Sequence, residues 1–162
     1  MVEVQFLSQV PIFAHLEPER LQLLTDKLRL RRYQRGEVIF HEGDAGDRLH
    51  IITKGNVKLS VSSEDGREKT IALFKPGECL GEMDLLDGSA RSATATAIDA
   101  VETLGLMQGD FLDVLAENPQ VAADITKLLT QRLLNVNQML ADAVFLDVPT
   151  RVAKQLLTLA GS

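Results

Sequence analysis

The chain has a single cysteine, Cys79, among its 162 residues. One thiol forbids an internal disulfide and leaves too few thiolates for a zinc knot or an iron–sulfur cluster. No run of 18 apolar residues occurs, so no segment is expected to span a membrane. The N-terminal MVEVQFLSQVPIF lacks the basic stretch and long apolar core of a secretory signal, and a cytoplasmic location is the expectation. Basic charge is also scarce. With 17 Lys and Arg against 23 Asp and Glu the net charge is −6, which argues against these residues gripping nucleic acid themselves. What is present, 45% hydrophobic and 25% charged side chains, describes one globular unit or one unit with an appendage.

Glycine is absent between Gly109 and Gly161, whereas eight of the 11 glycines lie between Gly36 and Gly88. Glycine supplies positive φ at turns and weakens helices, so the middle of the chain is expected to be turn-rich β structure and the last third helical. The charge divides in the same way. Residues 1–118 hold 13 basic against 20 acidic side chains (−7), and residues 119–162 hold 4 against 3 (+1).

Pro18 opens a short helical pattern over 18–28, with Leu21, Leu24 and Leu28 on one side. The segment LRLRRYQRGEVIF follows, with five basic residues between Lys27 and Arg35. Leu28 and Leu30 alternate with Arg29 and Arg31 there, which reads as a half-solvated surface rather than a nucleic-acid patch. Short strands are expected at Val38–Phe40, Leu49–Ile52, Val57–Val61, Thr70–Phe74, Ala93–Ile98 and Val101–Met107. Lys54-Gly55-Asn56 and Glu64-Asp65-Gly66 read as hairpin turns between them. Closely spaced strands without intervening helices indicate an antiparallel barrel or roll.

A short helix from Gly109-Asp110 ends at Asn118-Pro119. From Pro119 to about Phe145 the pattern is one long helix. Its stripe runs through Ala122, Ile125, Leu129, Arg132, Val136, Met139, Ala143 and Leu146, with Leu128, Leu133 and Leu140 on an adjacent face. Two apolar faces suit a helix that lies on the β part and also pairs with its twin in a parallel coiled coil; a single broad core-facing stripe is the plainer alternative. Pro149 is expected to break the chain before TRVAKQLLTLA starts another helix.

The densest chemistry lies in GEMDLLDGSARSAT, residues 81–94. Gly81 lets backbone amides approach an anion closely, and amides from Met83 onward, at the start of the 83–86 turn, can point at a phosphate. Arg91 offers a planar fork for two phosphate oxygens, Ser92 adds a hydroxyl donor, and Glu82 can accept from a ribose hydroxyl. Each residue also has a plain structural alternative: a turn glycine, a Glu82–Arg91 ion pair, a serine that begins a strand.

Taken together, RGEVIFHEGDAGDRLHIITKGNVKLSV, GEMDLLDGSARSATA and AVFLDVPTRVAKQLLTLA resemble the cyclic-nucleotide-binding domain family, specifically the bacterial cyclic-AMP receptor protein/Fnr-type (Crp/Fnr) transcription regulators. The resemblance covers nearly the whole chain. It implies an α+β fold: an antiparallel β-roll, jelly-roll-like, with short flanking helices and a long C-terminal dimerisation helix. Residues 1–118 would form the roll domain with its N-terminal helix, and 119–146 the homodimer helix. Residues 147–162 would be the hinge and first helix of a DNA-binding domain that lies beyond this chain, and DNA would be bound only through that domain.

The resemblance also implies site roles. Glu82 would hold the ribose 2′-hydroxyl, Arg91 and Ser92 the cyclic phosphate, and the Gly81 backbone the sugar, with Met83 beside it. Arg132 matches a family arginine near the ligand, and Val136 and Asn137 fall where the family reaches the purine. Valine departs from the threonine of the Thr-Ser pair there, so it cannot accept from an adenine amino group, whereas Asn137 can. The effector implied is a cyclic nucleotide, most favourably cyclic AMP, with no cofactor, no metal and no enzymatic activity. A kinase or channel regulatory module, and a family member sensing another ligand or none, are the alternatives. A cupin-type enzyme would need metal ligands from neighbouring strands, and only His41 and His50 are at hand; each is expected at a surface turn or as a satisfied half-buried ring. Cys79 is expected to be a small buried residue beside the cassette rather than a haem ligand.

Overall fold

The computed structural model describes the backbone of residues 4–160 and the side chains of residues 5–142 other than Val136 and Met139. The chain begins with α1 (Val4–Ser8), a 3-10 turn at Pro11–Phe13 and α2 (Pro18–Thr25). Eight strands then follow: β1 (Arg29–Tyr33), β2 (Val38–Phe40), β3 (Arg48–Lys54), β4 (Val57–Ser62), β5 (Glu68–Phe74), β6 (Cys79–Leu80), β7 (Thr94–Ala97) and β8 (Val101–Met107). Helix α3 (Glu82–Asp87) lies between β6 and β7; α4 (Gln108–Glu117) and α5 (Pro119–Ala160) complete the order. The chain divides into two compact units, one up to Ala122 and one from Ala123 onward.

In the first unit two antiparallel four-stranded sheets face each other, in the orders β1-β8-β3-β6 and β2-β7-β4-β5. Phe40, Val57, Phe74, Ala95 and Ala97 from one sheet and Ile52, Leu80 and Val101 from the other form a shared core. The opposite face of the first sheet buries Leu49, Ile51, Leu104 and Leu106, and α4 packs on β3 and β8. With both faces covered, β3 reads as an almost unbroken buried run from Leu49 to Ile52 rather than as alternation. This is the expected α+β roll.

Several local expectations change. Glu64-Asp65-Gly66 closes a hairpin, β4 paired with β5, in which Ser63 N–H donates to the Arg67 carbonyl at 2.7 Å. Lys54-Gly55-Asn56 does not, because β3 pairs with β6 and β8 while β4 pairs with β5 and β7. That turn carries the chain from one sheet to the other. Gly55 has φ +83°, and a Cβ there would overlap the Ala100 carbonyl, while Asp99 accepts from the Asn56 N–H at 2.7 Å. Turn residues specify a backbone conformation, not the partner of the next strand.

Two strands escaped the pattern: β1, RLRRY, whose first four residues are exposed, and β6, only two residues long. The helix expected over 18–28 stops at Thr25, although Leu28 is buried. The long helix does not stop near Phe145 either; α5 runs as a single helix of 42 residues through Pro149. An interior proline forfeits one i→i−4 hydrogen bond and crowds the preceding turn, at a cost of about 3 kcal/mol. No glycine occurs between Gly109 and Gly161 to add to that loss.

Candidate functional site

The first sheet ends in β6, whose Leu80 is paired with His50 on β3. The chain then turns at Gly81, φ +88°, into α3, and leaves α3 through Gly88, φ +72°. Both glycines adopt the left-handed conformation that other residues avoid. The segment that follows is strapped to the loop before β3. Ala45 and Ala90 form a bridge, Arg91 N–H donates to the Asp44 carbonyl at 2.7 Å, and Gly43 N–H donates to the Arg91 carbonyl at 2.8 Å. Gly46 in that loop lies against α3, where an added Cβ would come within 2.9 Å of Asp84 Cβ.

These contacts aim the Arg91 side chain inward, and the residue is only 3% exposed. Its Nη1 donates to the Gly81 carbonyl at 3.2 Å and meets Asp84 Oδ2 at 3.3 Å, and its Nη2 donates to the Arg48 carbonyl at 2.5 Å. The guanidinium carbon sits 4.3 Å from the centre of the Phe40 ring, a cation–π stack that fixes its plane. A Cβ at Gly81 would overlap Nη1, so glycine at 81 serves the close approach as well as the turn. Arg91 Nε is buried without a hydrogen-bond partner.

The carboxylate that pairs with Arg91 is Asp84, at 3.3 Å, and the sequence offered Glu82 for that place. Asp84 also accepts from the Ser92 backbone N–H, and burial pushes its carboxyl above the ordinary value against the pull of these two donors. Glu82 is buried in the first turn of α3. Ser92 and Met83 are exposed, Met83 at 57%. Gly81, Glu82, Met83, Arg91 and Ser92 therefore come together around α3. In the second unit Arg132 is half-buried and Asn137 exposed on α5, and the side chain of Val136 lies outside the described residues.

Three contributors were not singled out by the sequence: Asp84, Phe40 and the Arg48 carbonyl. His50 was weighed only as a metal ligand. It is buried, with its ring 5.6 Å from Phe40 and its Nδ1 making no hydrogen bond, rather than a satisfied half-buried ring. Burial, reinforced by the charges of Arg91, Arg48 and Arg31, lowers its pKa to about 3. His41 lies at an exposed turn, 3.7 Å from Asp44. Among the described residues no three His, Cys, Asp or Glu side chains are grouped to hold a metal ion. Cys79 is buried, two residues before Gly81.

A buried guanidinium, stacked on Phe40 and packed against the Gly81 turn, is a donor suited to a compact anion. Residues 30–118 match the sequence family described as the cyclic nucleotide-binding domain. The CRP-like cAMP-activated global transcriptional regulator of Mycobacterium tuberculosis is 36% identical over 156 residues, 96% of this chain and 70% of that protein. The crystal structure of Thermus thermophilus catabolite activator protein superposes with a TM-score of 0.72 at 38% identity, covering 80% of this chain and 61% of that one. The regulatory subunit of a cAMP-independent protein kinase A from Trypanosoma brucei gives a TM-score of 0.69 at 31% identity, over 79% of this chain and 46% of that one. The chain thus spans about two thirds of the length of its bacterial relatives.

Proposed function

The chain belongs to the cyclic nucleotide-binding domain family, among the Crp/Fnr-type regulators, and from that premise we propose that it is the ligand-sensing and dimerising part of a bacterial transcription regulator whose effector is a cyclic nucleotide, most favourably cyclic AMP. The observation that carries the reading is Arg91: a cation 3% exposed, held by two backbone carbonyls, the Asp84 carboxylate and a ring face, with its Nε left without a hydrogen bond. Burying a guanidinium is costly unless it is paired, and Asp84 is its pair in the single chain. An anion gripped there gains charge-assisted hydrogen bonds of about 1.5–3 kcal/mol each. In this reading Arg91 and Ser92 hold the cyclic phosphate, Glu82 the ribose 2′-hydroxyl, and Gly81 with Met83 the sugar edge. Arg132, Val136 and Asn137 act from α5 on the ligand and its base.

Residues 119–146 form the homodimer helix. Leu133, Leu134 and Leu140 support this, each more than half exposed on the single chain. Ligand binding shifts a two-state dimer and so controls a helix-turn-helix DNA-binding domain outside these 162 residues. The protein acts in the cytoplasm as a regulator rather than an enzyme; no described helix is long and apolar enough to cross a membrane.

One residue favours a second reading, in which another cyclic nucleotide is the effector. Val136 stands where an adenine amino group would find an acceptor, and one neutral hydrogen bond is worth about 0.5–1.5 kcal/mol, roughly two- to tenfold in affinity. Calorimetric titration of a panel of cyclic nucleotides decides between the two. Micromolar or tighter cyclic AMP with weaker cyclic GMP supports the first, the reverse order the second, and binding of neither contradicts both.

A further inference from the structure

Asp84 has no part in the cassette chemistry described above, yet it is bonded to the cassette's own donors. Its Oδ2 lies 3.3 Å from Arg91 Nη1, and its carboxylate accepts from the Ser92 backbone N–H. Arg91 is the guanidinium assigned above to the cyclic phosphate, and Ser92, whose hydroxyl was assigned with it, is the next residue. Asp84 is itself only 6% exposed, in the first turn of α3, and the side-chain-free Gly46 leaves room for its Cβ. A carboxylate that takes a guanidinium and a neighbouring amide presents the same charge and the same acceptor geometry as two phosphate oxygens.

We propose that the Asp84 carboxylate competes with the cyclic phosphate for this cradle: the two anions share the Arg91 guanidinium, and the ligand binds by taking it from Asp84. The proposal rests on the reading of Arg91 and Ser92 as the phosphate grip. Asp84 is then an affinity- and specificity-setting residue. It lowers cyclic nucleotide affinity, and it shields the buried guanidinium from small anions that bring no ribose to repay the displacement. Asp84 occupies only Nη1, and the buried Nε of Arg91 makes no hydrogen bond.

The test is calorimetry with cyclic AMP on the wild-type chain, on Asp84→Asn and on Arg91→Ala, with inorganic phosphate as competitor. Asp84→Asn keeps the shape and removes the charge; Asp84→Ser replaces it should the amide variant fail to fold. The expected result is about tenfold tighter cyclic AMP binding in Asp84→Asn, together with markedly stronger competition by inorganic phosphate. A residue that only positions Arg91 gives the opposite sign. Unchanged or weaker binding in Asp84→Asn, with Arg91→Ala inactive, overturns the competition and leaves the phosphate grip standing. Full binding in Arg91→Ala, or binding in none of the three proteins, overturns the grip itself, and the competition falls with it.

Discussion

Acidification should destabilise this protein through one buried side chain, His50. His50 is 3% exposed on β3, its ring tilted 36° to Phe40, and its Nδ1 makes no hydrogen bond. Burial first, then the positive charges of Arg91, Arg48 and Arg31, hold its pKa at about 3 against an ordinary 6.5, with Asp47 pulling weakly the other way. The native state therefore keeps a neutral ring where the unfolded chain takes up a proton. In that window the unfolded state binds more protons, so stability rises with pH by about 1.4 kcal/mol per unit. The contribution is complete above pH 6.5 and is lost progressively as pH falls toward 3. Between pH 7 and pH 5 the loss from this residue is about 2 kcal/mol. Asp65, Asp87 and Asp99, each held below the ordinary carboxylate value by hydrogen bonds, add their own losses only at lower pH. Urea unfolding of the wild-type chain and of His50→Leu at pH 7 and pH 5 measures the difference. The variant should lose about 2 kcal/mol less than the wild type over that interval. An identical pH slope in the two proteins, or an imidazole resonance of His50 titrating near 6.5, refutes the reasoning.

The remaining expectations concern the corner between the sheets and the long helix. Gly55→Ala places a Cβ on the Ala100 carbonyl at a φ of +83°, and should cost more than about 2 kcal/mol of stability in denaturant unfolding; a loss below about 0.5 kcal/mol contradicts the fixed corner. Sedimentation at tens of micromolar should show a dimer, and a monomer with or without cyclic nucleotide contradicts the role given to residues 119–146.

Much of the roll was legible because its signals are local. Val38–Phe40 and Val101–Met107 are strands with the expected limits, and the cassette glycine and arginine, ten residues apart, do converge. What stayed hidden depends on the sheet partners. In LRLRRY the alternation of Leu28 and Leu30 with Arg29 and Arg31 is too short and too charged to read as a strand, and the strand's place comes from the register that sets Arg29 against Gly105 and Tyr33 against Val101. His50 looks like a surface histidine until β3 is flanked by β6 and β8 and both its faces are covered. Asp84 reads as an ordinary polar residue in a short apolar turn. Only the folded α3, pressed on the loop at Gly46, turns its carboxylate toward Arg91 rather than to solvent. Pro149 misled in the opposite sense: its local penalty is real, yet α5 runs through it.

The central claim is that Arg91 is an anion-gripping residue for a cyclic nucleotide, and its removal tests that most directly. Cyclic AMP titrated into the wild-type chain and into Arg91→Ala, each first shown to be folded by circular dichroism, gives the answer in one calorimetric comparison. The account predicts saturable binding at micromolar concentration or below in the wild type and none in the variant. Equal affinity in the two proteins would contradict it.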